Sequence, residues 1–169
     1  MADKSKQKNG SSGQPDPAPA PAVLKIVGQY IKDLSFENPN VEKRIDTEIE
    51  PPQLKLAINV SAHRVRETIY ESSIQLQAEA ATVGGMIYYE LELVFGGLFQ
   101  IENVPETALE SILLINAPAL LFPFVRRLAL DLTREGGFPP LQIDPVDFAA
   151  LFLQRQQELA AKPPGAGVN

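Results

Sequence analysis

Hydrophobic and polar residues alternate along the first half of the chain with the two-residue period of β-strands. The alternation predicts regular strands at residues 54–60, 74–80 and 87–95, and a less regular strand at residues 23–31. Val83-Gly84-Gly85 predicts a turn between the third and fourth strands, because glycine adopts positive φ without steric cost. Strands joined this closely are expected to pair antiparallel.

The connection between the first two strands, residues 35–52, is too long for a hairpin turn and contains three prolines. We expect it to cross over the sheet, and long ordered loops are often functional. Residues 33–50 contain six acidic residues against Lys43 and Arg44. Such a stretch is either a solvated loop or a docking surface for a basic partner.

The second half of the chain has helical periodicity. It predicts a short helix at 106–115, a longer one at 119–135 with Pro123 near its start, and a last helix capped by Asp144. Gly136-Gly137 is expected to end the longer helix in a left-handed cap. That helix has an apolar stripe with helical spacing, formed by Leu121, Val125, Leu128 and Leu132.

Strands followed by helices predict an α+β fold: a four-stranded antiparallel sheet with a long crossover loop and C-terminal helices on one face. The long helix is apolar on most of its sides, and a single sheet covers only one of them. It is either tucked between sheet and loop in a monomer or sandwiched between subunits, and we expect the second. The expected interface residues are Leu91, Leu93, Phe95, Val125, Leu128 and Leu132.

The two ends of the chain differ from its middle. Residues 1–22 are rich in proline and alanine without apolar periodicity, which predicts a disordered arm, and residues 159–169 predict a flexible tail. Residues 23–158 form the predicted domain. The start lacks the apolar segment of a secretory signal, so we expect a cytoplasmic protein. The apolar runs fall short of the roughly 20 residues that cross a bilayer, so no membrane insertion is expected.

Composition excludes several kinds of site. The chain has no cysteine and one histidine, so a thiolate or multi-histidine metal site is excluded. Its net charge of −6 has the wrong sign for nucleic-acid binding. Motifs for phosphate binding or a serine nucleophile are missing, and His63 is expected in a surface loop. Glu90 and Glu92 are expected on a solvated strand face, so we expect neither an enzyme nor a cofactor.

Several motifs of the chain occur together in one known family. Residues 29–40, QYIKDLSFENPN, are similar to the Y-x-KD-SFE-PN segment near the start of SecB, the bacterial protein-export chaperone family. The resemblance continues, in the family's order, through Tyr70-Glu71, Gly96-Gly97 with Phe99, Leu121-Phe122-Pro123-Phe124 with Arg126, and GGFPPLQIDPVDFAALF at 136–152. It covers residues 23–157.

The resemblance implies a homotetramer, built as a dimer of dimers, that acts as a nucleotide-independent holdase. Such a holdase keeps preproteins unfolded in the cytosol and delivers them to the SecA motor. The family's acidic contact surface for the motor maps to Asp33, Glu37 and Glu92. Glu90 stands where the family has an apolar residue, which makes this patch more acidic. Ile49 stands where the family tends to have an aromatic residue.

A holdase needs exposed apolar grooves that take up extended segments of an unfolded chain. Several weak sites around a tetramer raise the affinity through avidity. The predicted groove residues are Ile45 and Ile49 in the crossover and Phe148 and Phe152 on the last helix. For the two phenylalanines, ordinary packing of that helix on the sheet is equally consistent. The rival class is a scaffold oligomer that binds one folded partner and ignores unrelated unfolded proteins.

Overall fold

A computed structural model describes residues 20–44 and 51–161 of the chain. Most of the predicted arm and tail, together with Ile45 and Ile49, lie outside the described residues. The described elements, in chain order, are β1 (Val23–Glu37), a 3-10 turn (Glu42–Arg44), β2 (Gln53–Arg66), β3 (Ile69–Ala81), β4 (Ile87–Glu102), α1 (Glu106–Ser111), a π-helical turn (Ile112–Asn116), α2 (Ala117–Glu135) and α3 (Phe148–Ala161). The predicted α+β fold is confirmed.

The four strands form one antiparallel sheet in the order β1-β4-β3-β2. β1 and β2 are therefore the two edges, so the chain passes from one edge of the sheet to the other between them, as predicted, and residues 45–50 of this connection lie outside the described residues. The tight turn before β4 is also confirmed: the Gly85 amide donates to the Thr82 carbonyl at 3.0 Å, and Gly85 has a φ of +84°.

β1 is longer than its sequence pattern predicts and continues to Glu37. Its pairing with β4 has register shifts between Ile26 and Gly28 and between Ile31 and Asp33. Val27 and Lys32 are thus extra residues without a register partner on β4. Each extra residue shifts the alternation by one position, which is why the two-residue period breaks in this strand.

The core lies between the sheet and α2. Leu76 and Leu93 on the central strands and Leu121 and Val125 on α2 have no exposed surface. The helix approaches the sheet closely at Gly97, where a Cβ atom would lie 2.7 Å from Leu121 Cδ2. We call this covered surface the helix-side face and the opposite surface the outer face.

The helix ends differ in part from the predictions. Pro123 lies inside α2 rather than near its start, and Pro118 occupies the first turn directly after the π-helical turn. α3 begins at Phe148, and Asp147 Oδ1 accepts a 3.0 Å hydrogen bond from the Ala150 amide. Asp147 is therefore the N-cap of α3, and the prediction that Asp144 caps this helix is wrong.

The end of α2 matches the prediction. Gly137 has a φ of +79°, which glycine adopts without strain. The Phe138 amide donates to the Thr133 carbonyl at 3.0 Å, as in a Schellman motif.

The continuous helical stretch Glu106–Glu135 is long and apolar enough to cross a membrane, because its most apolar 18-residue window has a mean hydropathy of 1.8. The uninterrupted apolar runs are short, as expected, but the sequence does not predict that they join into one helix of this length. One such helix is weak evidence for a membrane span, because the core helix of a globular protein passes the same test. Only 33% of its most apolar window is buried within the chain.

Four of the six predicted interface residues belong to the core of the single chain. Leu91, Leu93, Phe95 and Val125 are at most 7% exposed, so they have almost no surface to offer another subunit, and their assignment to an interface is wrong. Leu128 and Leu132 are half-buried. The exposed large apolar residues of β1, β2 and α2 are Leu24, Ile26, Val27, Ile31, Leu34, Leu54, Leu56, Val65, Leu120 and Phe124.

Candidate functional site

The pairing registers bring the predicted acidic residues together on the outer face. One row across the sheet consists of Glu37, Glu90, Glu79 and Lys55. The adjacent row consists of Ser35, Glu92 and Gln77, and Asp33 follows opposite Val94. We call Asp33, Glu37, Glu90 and Glu92 the acidic patch. The expected shared face of Glu90 and Glu92 is confirmed.

The acidic patch is accessible and has few partners of its own. Asp33, Glu37 and Glu92 are exposed and Glu90 is half-buried. Gln77 Nε2 donates to Glu92 Oε1 at 3.0 Å. Among the described side chains, no lysine or arginine forms an ion pair with these four carboxylates.

The geometry of the acidic patch concentrates negative charge. Glu37 and Glu90 are directly opposite on neighbouring strands. Like charges opposite one another destabilise a sheet, and a cationic partner would relieve the repulsion. A shallow depression of ≈ 310 Å³, lined in part by Glu90, Glu92 and Glu79, lies beside them.

A different carboxylate, Glu71 on β3, lies elsewhere on the outer face and is fully engaged. Its side chain is 10% exposed and lies 2.5 Å from Lys32 Nζ. The Tyr30 hydroxyl donates to Glu71 Oε2, and His63 Nδ1 lies 3.8 Å from Oε1. We call Tyr30, Lys32, His63 and Glu71 the Glu71 cluster. His63 is at the surface as predicted, but it belongs to β2 rather than to a loop.

The cluster shifts the pKa values of two of its members. Burial acts to raise the pKa of Glu71, but the hydrogen bonds from Lys32 and Tyr30 and the nearby positive charges outweigh it and lower the pKa. Burial, together with the hydrogen bond to Glu71 and its negative charge, raises the pKa of Tyr30 to about 12. Glu71 is therefore held as the anion and Tyr30 as the neutral donor.

A cleft of ≈ 460 Å³, lined by both apolar and polar residues, lies between β2 and α3. Phe152 and Leu151 on α3 and Ile58 on β2 line it, and Arg155 Nη1 donates to the Val60 carbonyl at 2.6 Å beside it. Phe152 thus lines a cleft formed with β2, and the predicted groove between the crossover and the last helix stays a prediction. We call this the β2–α3 cleft.

Phe148 does not line this cleft. It is 4% exposed and packs edge-on against Phe122 at a ring-centroid distance of 5.5 Å. The ordinary packing role is therefore correct for Phe148, and its assignment to the groove is wrong. The crossover residues predicted to complete the groove lie outside the described residues.

Sequence analysis missed two features of these sites. At the β2–α3 cleft, Leu151 directly precedes Phe152 and Arg155 lies about one turn beyond it, so both could have been found from the helical period. The role of Glu71 could not, because its partners come from β1 and β2, at separations of 41, 39 and eight residues along the chain. Within residues 20–44 and 51–161, no group of His, Cys, Asp or Glu side chains is arranged to hold a metal ion.

An accessible acidic face and a partly apolar cleft on one small α+β chain are typical of a protein that binds other polypeptides. The sequence model of the family described as preprotein translocase subunit SecB matches residues 17–159. The chain therefore belongs to the SecB family of protein-export chaperones.

Similar proteins agree with this assignment. The protein-export protein SecB of Hyphomonas neptunium is 47% identical over 164 residues, covering 96% of this chain and 94% of that protein. The protein-export protein SecB of Bradyrhizobium sp. strain BTAi1 is 43% identical over 153 residues, covering 90% and 93%. Among solved structures, the SecB-like chaperone of Mycobacterium tuberculosis, in complex with an antitoxin peptide, shares the fold with a TM-score of 0.60 at 13% identity over 73% of this chain and 90% of that one.

Proposed function

We propose that this chain is a nucleotide-independent holdase that keeps preproteins unfolded in the cytoplasm and delivers them to the SecA motor. One observation supports it above the others: the chain exposes apolar side chains around its helix-side face and at the β2–α3 cleft, while the outer face has an acidic patch that forms no ion pair with the described side chains. Client and motor can therefore bind separate surfaces of the same subunit.

Client binding rests on the physics of unfolded chains. Each large apolar side chain that a client buries contributes roughly 1.5–3 kcal/mol before ordering costs are subtracted. The β2–α3 cleft has room for a few such side chains, so the affinity of one cleft is low. Several clefts in one assembly favour long unfolded chains over folded proteins, which bury the same residues internally.

Assembly rests on the apolar residues that the single chain leaves exposed. Leu120 is 44% and Phe124 39% exposed on α2, a helix that is apolar on most sides. We propose that this helix packs between subunits of a homotetramer, arranged as a dimer of dimers, with Leu128 and Leu132 at the margin of the contact. Replacement of Leu120 by aspartate should lower the native mass in sedimentation, and a tetramer that survives the change would place the interface elsewhere.

Client capture can be tested on the cleft with a matched pair of variants. Phe152→Asp places a charge in the β2–α3 cleft, whereas Leu153→Asp alters the next residue, which is 60% exposed and lies outside the cleft. We expect Phe152→Asp to reduce the delay in aggregation of a denatured preprotein, and Leu153→Asp to leave it unchanged. Ile49→Asp should act in the same direction as Phe152→Asp.

Equal behaviour of the two α3 variants would remove the cleft from the client site. A protein that delays the aggregation of one partner only, and not of unrelated denatured chains, would instead be a scaffold.

Motor binding can be tested by charge reversal on the acidic patch. Asp33→Lys combined with Glu92→Lys should weaken binding to purified motor in titration calorimetry, because the attraction to a cationic partner becomes repulsion. The control, Glu106→Lys with Asp144→Lys, changes the net charge equally at exposed positions away from the patch. Aggregation delay should be the same in all three proteins.

Two results would contradict this assignment. One is an unchanged motor affinity in the patch variant. The other is an equal loss in both double variants, which would reduce the effect to net charge.

A further inference from the structure

The acidic patch depends on an irregularity in β1. Before the register shift, Ile31 is opposite the buried Phe95 and faces the helix side. After it, Leu34 is opposite the buried Leu93 on the same side, so Asp33, Ser35 and Glu37 face outward. With strict alternation from Ile31, Lys32 would face outward and Asp33 and Glu37 would face the helix side.

Lys32 is the residue at which the alternation of side chains between the two faces of the sheet shifts by one position. It is the extra residue between two consecutive register pairs, Ile31 with Phe95 and Asp33 with Val94. An extra residue in an edge strand leaves the ladder locally unpaired. Its side chain is held by the ion pair with Glu71, which comes from β3, two strands away in the sheet.

Tyr30 holds the same segment from the preceding outward position. Its ring lies on β4 at Gly96, where a Cβ atom would come within 3.1 Å of Cε2. The hydroxyl reaches over β4 to Glu71 Oε2. Two side chains of the edge strand, one on each side of Ile31, are thus fixed to one buried carboxylate.

We propose that Glu71 is a positioning residue for the acidic patch: by binding Tyr30 and Lys32, it fixes the extra residue of β1 and so holds Asp33 and Glu37 on the outer face beside Glu92. This inference rests on the proposed docking function of that patch. The apolar side chains of Ile31 and Leu34 determine which alternate residues of β1 face the helix side before and after Lys32. Glu71 fixes the extra residue between these two segments.

The first test is Glu71→Gln, which keeps the shape of the side chain and removes its charge. The control is Glu79→Gln on the same strand and face, whose ion-pair partner is Lys55 on β2 rather than β1. We expect faster hydrogen exchange at the amides of residues 31–34 in Glu71→Gln and no change there in Glu79→Gln. Motor affinity of Glu71→Gln should fall roughly three- to tenfold, while native mass and aggregation delay stay unchanged.

The second test is rescue. Deletion of Lys32 joins two consecutive register pairs into a regular ladder that needs no anchor, with Asp33 still facing outward. In the Glu71→Gln background, this deletion should restore motor affinity to within about twofold of the wild type. If Glu71 contacted the motor directly, the deletion would rescue nothing, and the positioning role would be overturned.

Tyr30→Phe is a milder variant in case Glu71→Gln folds poorly. It keeps the ring on Gly96, removes one hydrogen bond to Glu71, and should change exchange and affinity in the same direction by less. Unchanged exchange and affinity in both variants would overturn the inference. Failure of the Asp33→Lys and Glu92→Lys pair to affect motor binding would instead overturn the docking function, and the exchange result at residues 31–34 would still decide whether Glu71 fixes β1.

Discussion

Glu71 and the four carboxylates of the acidic patch lie on the same outer face of the sheet, but their surroundings are opposite. Glu71 is 10% exposed and has a lysine, a tyrosine hydroxyl and a histidine around it. Glu92 is exposed, and the amide of Gln77 is its hydrogen-bond donor. Glu71 interacts with side chains of its own fold, whereas the acidic patch exposes its charge to solvent, where we propose that a partner binds.

The difference follows from desolvation. A buried carboxylate is tolerated only where charged or hydrogen-bonding groups replace the water it has lost, so Glu71 requires its cluster. An exposed carboxylate keeps its water and contributes little to folding, even where a neighbour of like charge is opposite. The sheet can therefore retain the acidic patch at a small cost in stability.

The largest expected effect is a difference in the free energy of unfolding between a variant of Glu71 and a variant of the acidic patch. Glu71→Ala should lower the free energy of unfolding by about 2–3 kcal/mol per subunit, because it leaves Lys32 and Tyr30 without their acceptor. Glu92→Ala should leave it unchanged or slightly raised. Urea denaturation at one fixed protein concentration measures both, since assembly couples to folding. Similar losses in the two variants would show that the distinction is wrong.

A smaller effect is expected from the glycine beneath Tyr30. Gly96→Ala forces the Tyr30 ring to move and should cost about 1–2 kcal/mol, as overpacking does. Gly28→Ala on the same face is the control, because a Cβ atom there meets nothing within 4 Å. Thermal unfolding of the two variants compares them directly, and an equal melting temperature would mean that the Tyr30 contact has no role in stability.

The smallest effect is a dependence on acid. The pKa of Glu71 is lowered in the folded protein, so its contribution to stability is present above the unfolded value near 4.5 and is lost as pH falls through the folded value. Between pH 6 and pH 3, the free energy of unfolding should fall more steeply with falling pH in wild type than in Glu71→Gln. The difference between the two slopes should be a fraction of about 1.4 kcal/mol per pH unit. Parallel curves would contradict the direction of the shift.

The sequence predicts the regular parts of the fold but not the irregular ones. β2 and β3 alternate without an internal extra residue over their predicted cores, and in β4 the residue skipped in the pairing with β3, Tyr88, lies at the start of the strand, so their period is visible. In β1, Val27 and Lys32 each interrupt the period, and the strand is predicted to end six residues early. Two aspartates precede the last helix, and only the hydrogen bond to the Ala150 amide identifies Asp147 as the cap.

The candidate site shows the same limit. Asp33, Glu37 and Glu92 could be placed together from the family resemblance, although β1 had been predicted to end before the two residues on it. Phe148 and Phe152 are four residues apart and share one face of α3, so the helical period does not distinguish their roles. The structure does, because Phe148 packs against Phe122 whereas Phe152 lines the β2–α3 cleft. The anchoring role of Glu71 requires the sheet order, which brings β1 and β3 to either side of β4.

The central claim is that the acidic patch binds a cationic surface of the motor, and the dependence of that binding on salt tests it most directly. Titration calorimetry of the wild-type chaperone with purified SecA, repeated from low to physiological and higher ionic strength, should show a dissociation constant that rises steadily with salt, because exposed charges are screened beyond about 10 Å at 0.1 M. The charge-reversed pair Asp33→Lys and Glu92→Lys should lose this dependence. A dissociation constant that stays the same across the series would contradict the account.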